Sequence, residues 1–318
     1  MPIVGAGMGG LAGAELAAAI SSAGALGVIG AGGDSTETVI ERLRAARALT
    51  SSPLGVNVVL EVVPAERVRA VLDEGVDVLV TGWGDPGAWS GACRERGTLL
   101  AHRVENAAEA VRAVAAGADV LIAQGSDAGG HTGSVPSLAL IPCVVDVARS
   151  VPVLAAGGVA DGRGLVAALA LGAAGVVIGT RFVAAAEANA HAAFVSRVIE
   201  ADEAASVLTD AFEIGWPDRP HRVLRNSTIE LWEREPEPRV RPSDRAPEIV
   251  AHRRNGGVIE EVPRYWVDSP TRDVVDGAEA MALYAGPSAG LVHAVEPAAA
   301  IVAAIVADAE RVLSRLPR

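Results

Sequence analysis

Short apolar runs alternate with amphipathic segments along the first 180 residues of the chain. The runs are rich in Val, Ile, Leu and Ala and lack regular polar alternation, which is typical of parallel strands buried on both faces. The pattern therefore predicts a parallel sheet covered by helices. The eight apolar runs lie at residues 3–6, 26–29, 56–60, 76–81, 98–101, 119–123, 152–156 and 175–179.

Helical periodicity fills the intervals between these runs. Asp161 precedes an apolar series and is a predicted N-cap, and Pro142 suits the first position of a helix. The polar link at residues 85–95 is predicted to hold only a turn or two of helix. Eight β-α units rarely form one open sheet, and eight is the number that closes a barrel. We therefore expect an α/β fold of the (β/α)8 TIM barrel type, with a doubly wound sheet as the alternative. The predicted helices are 11–23, 35–48, 64–74, 105–116, 142–149 and 161–171.

The pattern changes after residue 186. The β-α spacing stops, proline and arginine become frequent, and the 318 residues of the chain exceed the roughly 250 of a plain barrel. Helices are predicted at 189–199 and 201–208, and the proline-broken run 235–239 predicts a loop or extended chain. We expect a barrel and a smaller inserted domain that serves as a lid over the substrate. The predicted barrel comprises residues 1–186 and 275–318, with a C-terminal helix at 297–313 on its exterior, and the predicted insertion comprises residues 187–274.

Glycine clusters follow three consecutive predicted strands. The first lies within Gln124–Gly133 and surrounds His131, the second is Gly157-Gly158, and the third turn contains Gly179-Thr180. In a barrel the loops after the strands form the active face, and phosphate commonly lies beside strands 7 and 8. The N–H groups of the second and third turns therefore predict a phosphate site. We expect His131, one loop away, to contact the ligand or act on it.

Composition excludes several chemistries. All 27 basic residues are arginine, so a Schiff-base aldolase, a pyridoxal enzyme that binds its cofactor through lysine and a Walker-type nucleotidase are excluded. Cys93 and Cys143 lack the spacing of a disulfide framework or an iron–sulfur site, and the six histidines lack metal-ligand spacing. The net charge of −12 argues against nucleic acid and anionic membranes as partners.

The remaining polar and aromatic candidates lie late in the chain. A structural or surface role is favoured for His191, Trp216, His221 and Arg222. A lid over a small organic substrate would nevertheless present Trp216 and Tyr284 as pocket walls. The N-terminal run lacks a preceding basic region and the apolar runs are broken by glycine, so we predict neither a secretory signal nor a membrane span. We expect a cytoplasmic protein.

The chain resembles the FMN-dependent nitronate monooxygenases, formerly called 2-nitropropane dioxygenases, over nearly its whole length. The central histidine loop is the most specific part of this resemblance. The resemblance implies that His131 is catalytic and lies over the flavin, facing the substrate. The motifs that carry the resemblance are Pro2–Gly10, Gly55–Asn57, Gln124–Gly133, Gly157-Gly158, Val177–Thr180 and Leu283–Gly286. The residues that it implies for FMN binding are Met8, Gly9, Asn57, Gln124, Gly129, Gly157, Gly158, Val177, Ile178, Gly179 and Thr180.

The resemblance implies oxidation of alkyl nitronates by dioxygen to a carbonyl compound and nitrite, with neutral nitroalkanes open as further substrates. An FMN-containing NAD(P)H:quinone or enoyl-thioester reductase is the alternative, because such enzymes look similar around this loop. Gly5–Gly10 approaches a dinucleotide-binding motif, but no acidic residue ends a second strand, which argues against NAD binding. A non-catalytic flavin-binding barrel and a homodimeric assembly also stay open.

Overall fold

The computed structural model describes residues 1–316 of the chain, which form strands and helices in regular alternation up to residue 183. The strands are β1 (Ile3–Gly5), β2 (Gly27–Gly30), β3 (Leu54–Val59), β4 (Val78–Gly82), β5 (Leu99–Val104), β6 (Val120–Gln124), β7 (Gly130–His131), β8 (Val153–Ala156), β9 (Gly175–Ile178), β10 (Ser206–Thr209), β11 (His221–Leu224), β12 (Ile249–Asn255), β13 (Val258–Pro263) and β14 (Val274–Asp276). The α-helices are α1 (Ala14–Ser22), α2 (Thr36–Leu49), α3 (Ala65–Asp73), α4 (Gly87–Arg96), α5 (Ala107–Ala115), α6 (Ser137–Ala148), α7 (Gly162–Ala170), α8 (Thr180–Val183), α9 (Ala192–Glu200), α10 (Ser227–Arg234) and α11 (Ala298–Arg315).

Eight of these strands form one parallel sheet in the order β1-β9-β8-β6-β5-β4-β3-β2. The ring closes between β1 and the residue before β2, because Val4 forms a parallel bridge with Leu26 and the N–H of Gly5 donates to the carbonyl of Leu26 at 2.9 Å. The predicted (β/α)8 TIM barrel is confirmed, and the open doubly wound sheet is wrong. All eight predicted strands are present.

The apolar runs form strands here because both of their faces are buried. Inward side chains, among them Val4, Val80 and Ile122, fill the interior of the barrel. Outward side chains such as Val56 and Leu79 pack under the surrounding helices. A continuous apolar run is the pattern that such two-sided burial requires.

The predicted N-cap at Asp161 is confirmed, since its carboxylate accepts from the N–H of Arg163 at 2.9 Å. Three other helix predictions need correction: those for residues 85–95, for the helix that contains Pro142 and for residues 201–208. The 85–95 link holds the ten-residue helix α4 rather than a turn or two. Helix α6 begins at Ser137, so Pro142 lies inside it and Cys143 does not lie in its first turn. Pro142 is tolerated because the carbonyl that it leaves without a partner is that of Leu138, a residue that is 74% exposed.

Residues 201–208 do not form the predicted helix. Their last part belongs to β10, which pairs antiparallel with β11 from Ser206 to Thr209. The local sequence there permits a helix, but backbone pairing with a strand 12 or more residues away decides the structure. The helix predicted at 189–199 is present as α9, which begins at Ala192. His191 caps that helix by accepting from the N–H of Ala193.

The later residues form two small sheets beside the barrel. The first has the order β10-β11-β7 and so joins the loop after β6 to the segment around residue 222, and the second has the order β13-β12-β14. Phe212, Val223 and Trp232 belong to a separate apolar cluster in this part of the chain. Helix α11 returns to the barrel and packs against α7 and α1. Among residues 1–316, no helix is both long enough and apolar enough to cross a bilayer.

Close packing of α1 against β2 gives a testable prediction for Gly27. A Cβ at this position would lie 1.9 Å from the carbonyl oxygen of Ala17, a backbone atom that cannot move away freely. We expect Gly27→Ala to lower the free energy of unfolding by about 2–3 kcal/mol, measured by urea denaturation. Gly91→Ala is the matched control, because Gly91 is exposed inside α4 with nothing within 4 Å of the added carbon. This control should raise stability by about 0.5–1 kcal/mol, and equal midpoints for the two variants would contradict the prediction.

Candidate active site

The loop that follows β6 holds His131 at the carboxyl end of the barrel. His131 pairs with His221, and Gly130 pairs with Arg222, in the antiparallel contact of β7 with β11. Gly130 has φ +82°, and a Cβ on Gly129 would lie 2.8 Å from backbone atoms of Ala285. Only glycine suits these two positions, so the double glycine allows the loop to pass close to the late turn at residues 285–286.

Aromatic rings surround the His131 imidazole. The ring centroid of Trp216 lies 4.2 Å from that of His131, and those of Tyr284 and Trp83 lie 5.5 and 6.4 Å away. The structure therefore brings Trp216 and Tyr284 beside His131. The Nε2 atom of His131 is buried and has no hydrogen-bond partner within residues 1–316. Because buried polar atoms are nearly always paired, this nitrogen is suited to a ligand that supplies the missing partner.

The electrostatic environment keeps His131 neutral. Burial holds the pKa of His131 well below its ordinary value, and repulsion from His221, when that ring is protonated, and from Arg103 and Arg219 lowers it further. Removal of water from around an imidazole disfavours its charged form, and nearby cations disfavour it further. At neutral pH the side chain therefore has one bare nitrogen that can accept a proton and one N–H that can donate a hydrogen bond.

The hydrogen bonds of His221 fix its tautomer. Its Nε2 accepts from the backbone N–H of Phe212 at 3.1 Å, so its Nδ1 carries the hydrogen and donates to the carbonyl of Arg219 at 2.9 Å. Burial lowers the pKa of His221 to about 4. With both nitrogens used by the backbone, His221 holds the segment that carries Trp216 next to His131 rather than offering an atom to a ligand.

Arg103, Trp83 and Glu105 belong to the site but were not predicted from the sequence. Arg103 is buried near the end of β5, its guanidinium lies 3.7 Å from the ring centroid of Trp83, and it pairs with Glu105. Its Nε donates to Oε1 of Gln124 at 2.7 Å. The available signal was a cation inside an apolar strand and a tryptophan directly after the preceding strand, both at the carboxyl ends where barrel sites form.

The residues expected along the flavin ring lie at the same end of the barrel. A Cβ on Gly7 would lie 2.4 Å from Cβ of Asn57, and one on Gly179 would lie 3.5 Å from Sδ of Met8, so the loop after β1 reaches both. Gly9 has φ +52° and nothing within 4 Å of a Cβ added to it, so the space beside its Cα is open, whereas its backbone N and O pack close to Gly30. Asn57 Nδ2 donates to the carbonyl of Val80 at 3.4 Å.

The amide of Gln124 already has two partners in the protein. Its Oε1 accepts from Arg103, and its Nε2 donates to the carbonyl of His131 at 2.8 Å. One N–H of Nε2 thus supports the histidine loop, and the second N–H is left for another acceptor.

The residues expected at the phosphate meet around the late turn. Gly157 and Gly158 have φ +112° and +72°, and a Cβ on Gly158 would lie 2.7 Å from Oδ2 of Asp127. The Thr180 hydroxyl accepts from the N–H of Gly286 at 3.1 Å. Of the two remaining strand residues, Val177 packs toward the barrel interior and Ile178 is buried among the helices, and the backbones of both pair with β1.

The neutral state of His221 predicts a measurable pH dependence of stability. Its pKa is lowered in the folded chain, so the unfolded chain binds the proton more tightly, and stability is lost as pH falls from about 6.5 to about 4. We expect His221→Gln to reduce the slope of unfolding free energy against pH in this window by up to about 1.4 kcal/mol per pH unit. Urea denaturation at several pH values measures the slope. His293→Asn is the control, because His293 is exposed, and an unchanged slope in the His221 variant would refute the prediction.

Comparison with known proteins places these observations in a family. A family model described as nitronate monooxygenase matches residues 1–65 and 59–308. A probable nitronate monooxygenase of Staphylococcus aureus is 32% identical over 258 residues, which cover 66% of this chain and 72% of the relative. The (3aS,4S,5R,7aS)-5-hydroxy-7a-methyl-1-oxo-octahydro-1H-indene-4-carboxyl-CoA dehydrogenase of Mycobacterium tuberculosis is 34% identical over 275 residues, 86% of this chain and 74% of the relative.

Solved structures agree with this assignment. FabK from Thermotoga maritima superposes with a TM-score of 0.84 at 33% identity and covers 99% of this chain and 94% of its own. Nitroalkane oxidase from Streptomyces ansochromogenes gives a TM-score of 0.80 at 27% identity, covering 100% and 98%. The chain belongs to the nitronate monooxygenase family, whose members are in general flavin-dependent oxidoreductases.

Proposed function

We propose that this chain is an FMN-dependent enzyme that oxidises alkyl nitronates with dioxygen to a carbonyl compound and nitrite. The observation that carries this proposal is the neutral, buried imidazole of His131, whose Nε2 has no partner among residues 1–316 and lies in a pocket walled by aromatic rings. A pocket of this kind suits a small organic substrate with one polar group that the imidazole can bind.

The residues at the barrel mouth suit a flavin mononucleotide. Met8, Gly9, Asn57, Gln124 and Gly129 would lie along its ring system, and the open space beside the Cα of Gly9 supports this arrangement. The glycines with positive φ that follow β8 support a backbone cradle for its phosphate. In this proposal the phosphate is held by Gly157, Gly158, Val177, Ile178, Gly179 and Thr180. When bound, FMN supplies the acceptor for the electrons that leave the substrate.

The chain's own residues then bind the substrate and control its proton. His131 donates a hydrogen bond to an oxygen of the nitronate or, with a neutral nitroalkane, accepts the α-proton. Trp216 and Tyr284 keep water from this pocket. The Tyr284 hydroxyl donates to the carbonyl of Val267 at 2.9 Å, and burial raises its pKa well above the ordinary value, so it stays protonated and does not compete as a base.

Residues 187–274 serve in this proposal as a lid domain on the barrel of residues 1–186 and 275–318. The stacking of Trp216 on His131 and the pairing of β11 with β7 support this division. The lid then determines which substrates reach the imidazole.

Replacement of His131 tests the proposal directly. We expect His131→Asn to slow nitrite formation from ethyl nitronate and propionate 3-nitronate by about 100-fold or more, because it removes the imidazole that binds the anion or accepts the proton. The absorbance spectrum of the purified variant should still show bound flavin. His293→Asn, on the exposed surface, is the control and should retain full activity. Loss of flavin in His131→Asn would assign the residue a structural role.

A second candidate function is reduction of a quinone or an enoyl thioester by NAD(P)H. It is supported by the similarity over 86% of this chain to a Mycobacterium tuberculosis enzyme named as a dehydrogenase of a CoA compound. Parallel assays of nitrite release and of NADH and NADPH consumption decide between the two. Consumption of a nicotinamide with a quinone or enoyl thioester, without nitrite release from either nitronate, selects the second candidate. A flavin-containing protein that is inactive in every assay would exclude both.

A further inference from the structure

Arg103 is a buried cation directly behind the histidine loop. It is 7% exposed, and its side chain crosses Gly82 so closely that a Cβ there would lie 3.3 Å from Cδ of Arg103. It pairs with Glu105, whose side chain packs against Gly133 at the far end of the same loop. A buried ion pair is costly to form and by itself is weak evidence of a contribution to stability. Stabilisation of the fold therefore does not explain why Arg103 is buried at this position.

The bond from Arg103 determines the orientation of the Gln124 amide. Arginine has only donors, so the atom of Gln124 that faces its Nε at 2.7 Å must be Oε1. The NH2 group of Gln124 is thereby turned toward the loop, where it donates to the carbonyl of His131 at 2.8 Å. Without the guanidinium, the amide could flip and lose the bond that holds the backbone of His131.

Arg103 also contacts the ring face of Trp83. Trp83 has φ +50°, in the left-handed region that an L residue seldom adopts, and it sits between Gly82 and Gly84. Stacking of the guanidinium at 3.7 Å from the ring centroid offsets part of this strain. The supported indole lies edge-on to both His131 and Trp216, at 6.4 and 4.6 Å between centroids.

We propose that Arg103 is the positioning residue of this site: through Gln124 and Trp83 it sets the place of the His131 imidazole. The proposal rests on the proposed function of His131. Arg103 touches neither a reacting atom nor the substrate in this role. It acts through its two neighbours and through its positive charge, which is one of the causes that lower the pKa of His131.

Several ionisable groups surround His131. The cations are Arg103 and Arg219, paired with Glu105 and Glu61 respectively, and the neutral groups are His221 and Tyr284. After burial and His221, the charge of Arg103 is the next cause that lowers the pKa of His131. Loss of the Arg103 charge should therefore raise that pKa, whereas replacement by lysine should preserve it.

Three variants of the full-length holoprotein separate charge from geometry. Arg103→Met removes charge and hydrogen bonds but keeps a long side chain. Arg103→Lys keeps the charge but cannot bond Gln124, pair with Glu105 and stack on Trp83 at once. Arg103→Met/Glu105→Gln removes both charges and provides a folded sample if Glu105 alone destabilises the first variant. Arg264→Met is the control, because Arg264 is a largely buried arginine paired with Glu248 outside the site.

The readouts are the pH titration of the His131 imidazole by NMR of histidine-labelled protein, assigned with His131→Asn, and the kinetics of nitronate oxidation. We expect both Met variants to shift the His131 titration upward by at least about 0.5 pH unit. We expect kcat to fall about 10- to 100-fold with bound flavin retained. Arg103→Lys should lower kcat similarly while the titration stays near that of the wild type, and Arg264→Met should change neither.

The NMR titration separates failure of this proposal from failure of the proposed function. A wild-type protein that is inactive on nitronates would refute the proposed function, and the titration would still report whether Arg103 controls the imidazole. A folded Met variant with an unchanged His131 titration overturns the proposal. So does a variant whose only change is lower stability, as expected for Arg264→Met, because Arg103 would then be merely structural.

Discussion

The antiparallel contact between β7 and β11 is the interaction on which the candidate site depends. Strand β7 is only two residues long, yet its pairing with β11 joins the loop after β6 to a segment some 90 residues later in the chain. Through it, His131 is placed against His221, and the aromatic wall that includes Trp216 comes to lie over the barrel mouth. A barrel strand alone could not bury this imidazole, because loops at the rim are exposed unless another part of the chain covers them.

Burial has opposite consequences for the two histidines in this contact. Both lose their charge, but His221 gives its two nitrogens to backbone groups, whereas His131 keeps a nitrogen that has no partner in the described part of the chain. Whether an imidazole nitrogen stays available is thus decided by which backbone groups lie within reach. Residue type and burial alone do not distinguish them.

The barrel was predictable from sequence because each of its strands is buried on both faces and therefore appears as a continuous apolar run. The His131 loop and the glycine turns were predictable for a related reason, since glycine at a strand end marks a backbone that passes close to something else. The start of helix α6 was not predictable, because Pro142 resembles a first-turn proline unless the exposure of Leu138 is known. Strand β10 was missed because a distant pairing partner determines it.

Arg103 and Trp83 illustrate what local sequence cannot provide. Their roles arise from the lateral order of strands β4, β5 and β6, which places a side chain of β5 against the end of each neighbour. Only a closed ring with a known register places Arg103 between Trp83 and Gln124. The same ring is shared by FabK and nitroalkane oxidase, so differences in reaction within such a fold must come from the side chains and loops at the rim.

The late position of β11 has a consequence for synthesis of the chain on the ribosome. The last strand of the ring ends at Ile178, whereas the partner of β7 ends at Leu224 and the turn that contacts Gly129 comes at residues 285–286. A nascent chain can therefore complete its ring of eight strands well before the imidazole acquires its cover. Contacts between distant parts of the sequence form slowly, so the pocket should mature as one of the final steps of folding, on a scaffold that is already closed.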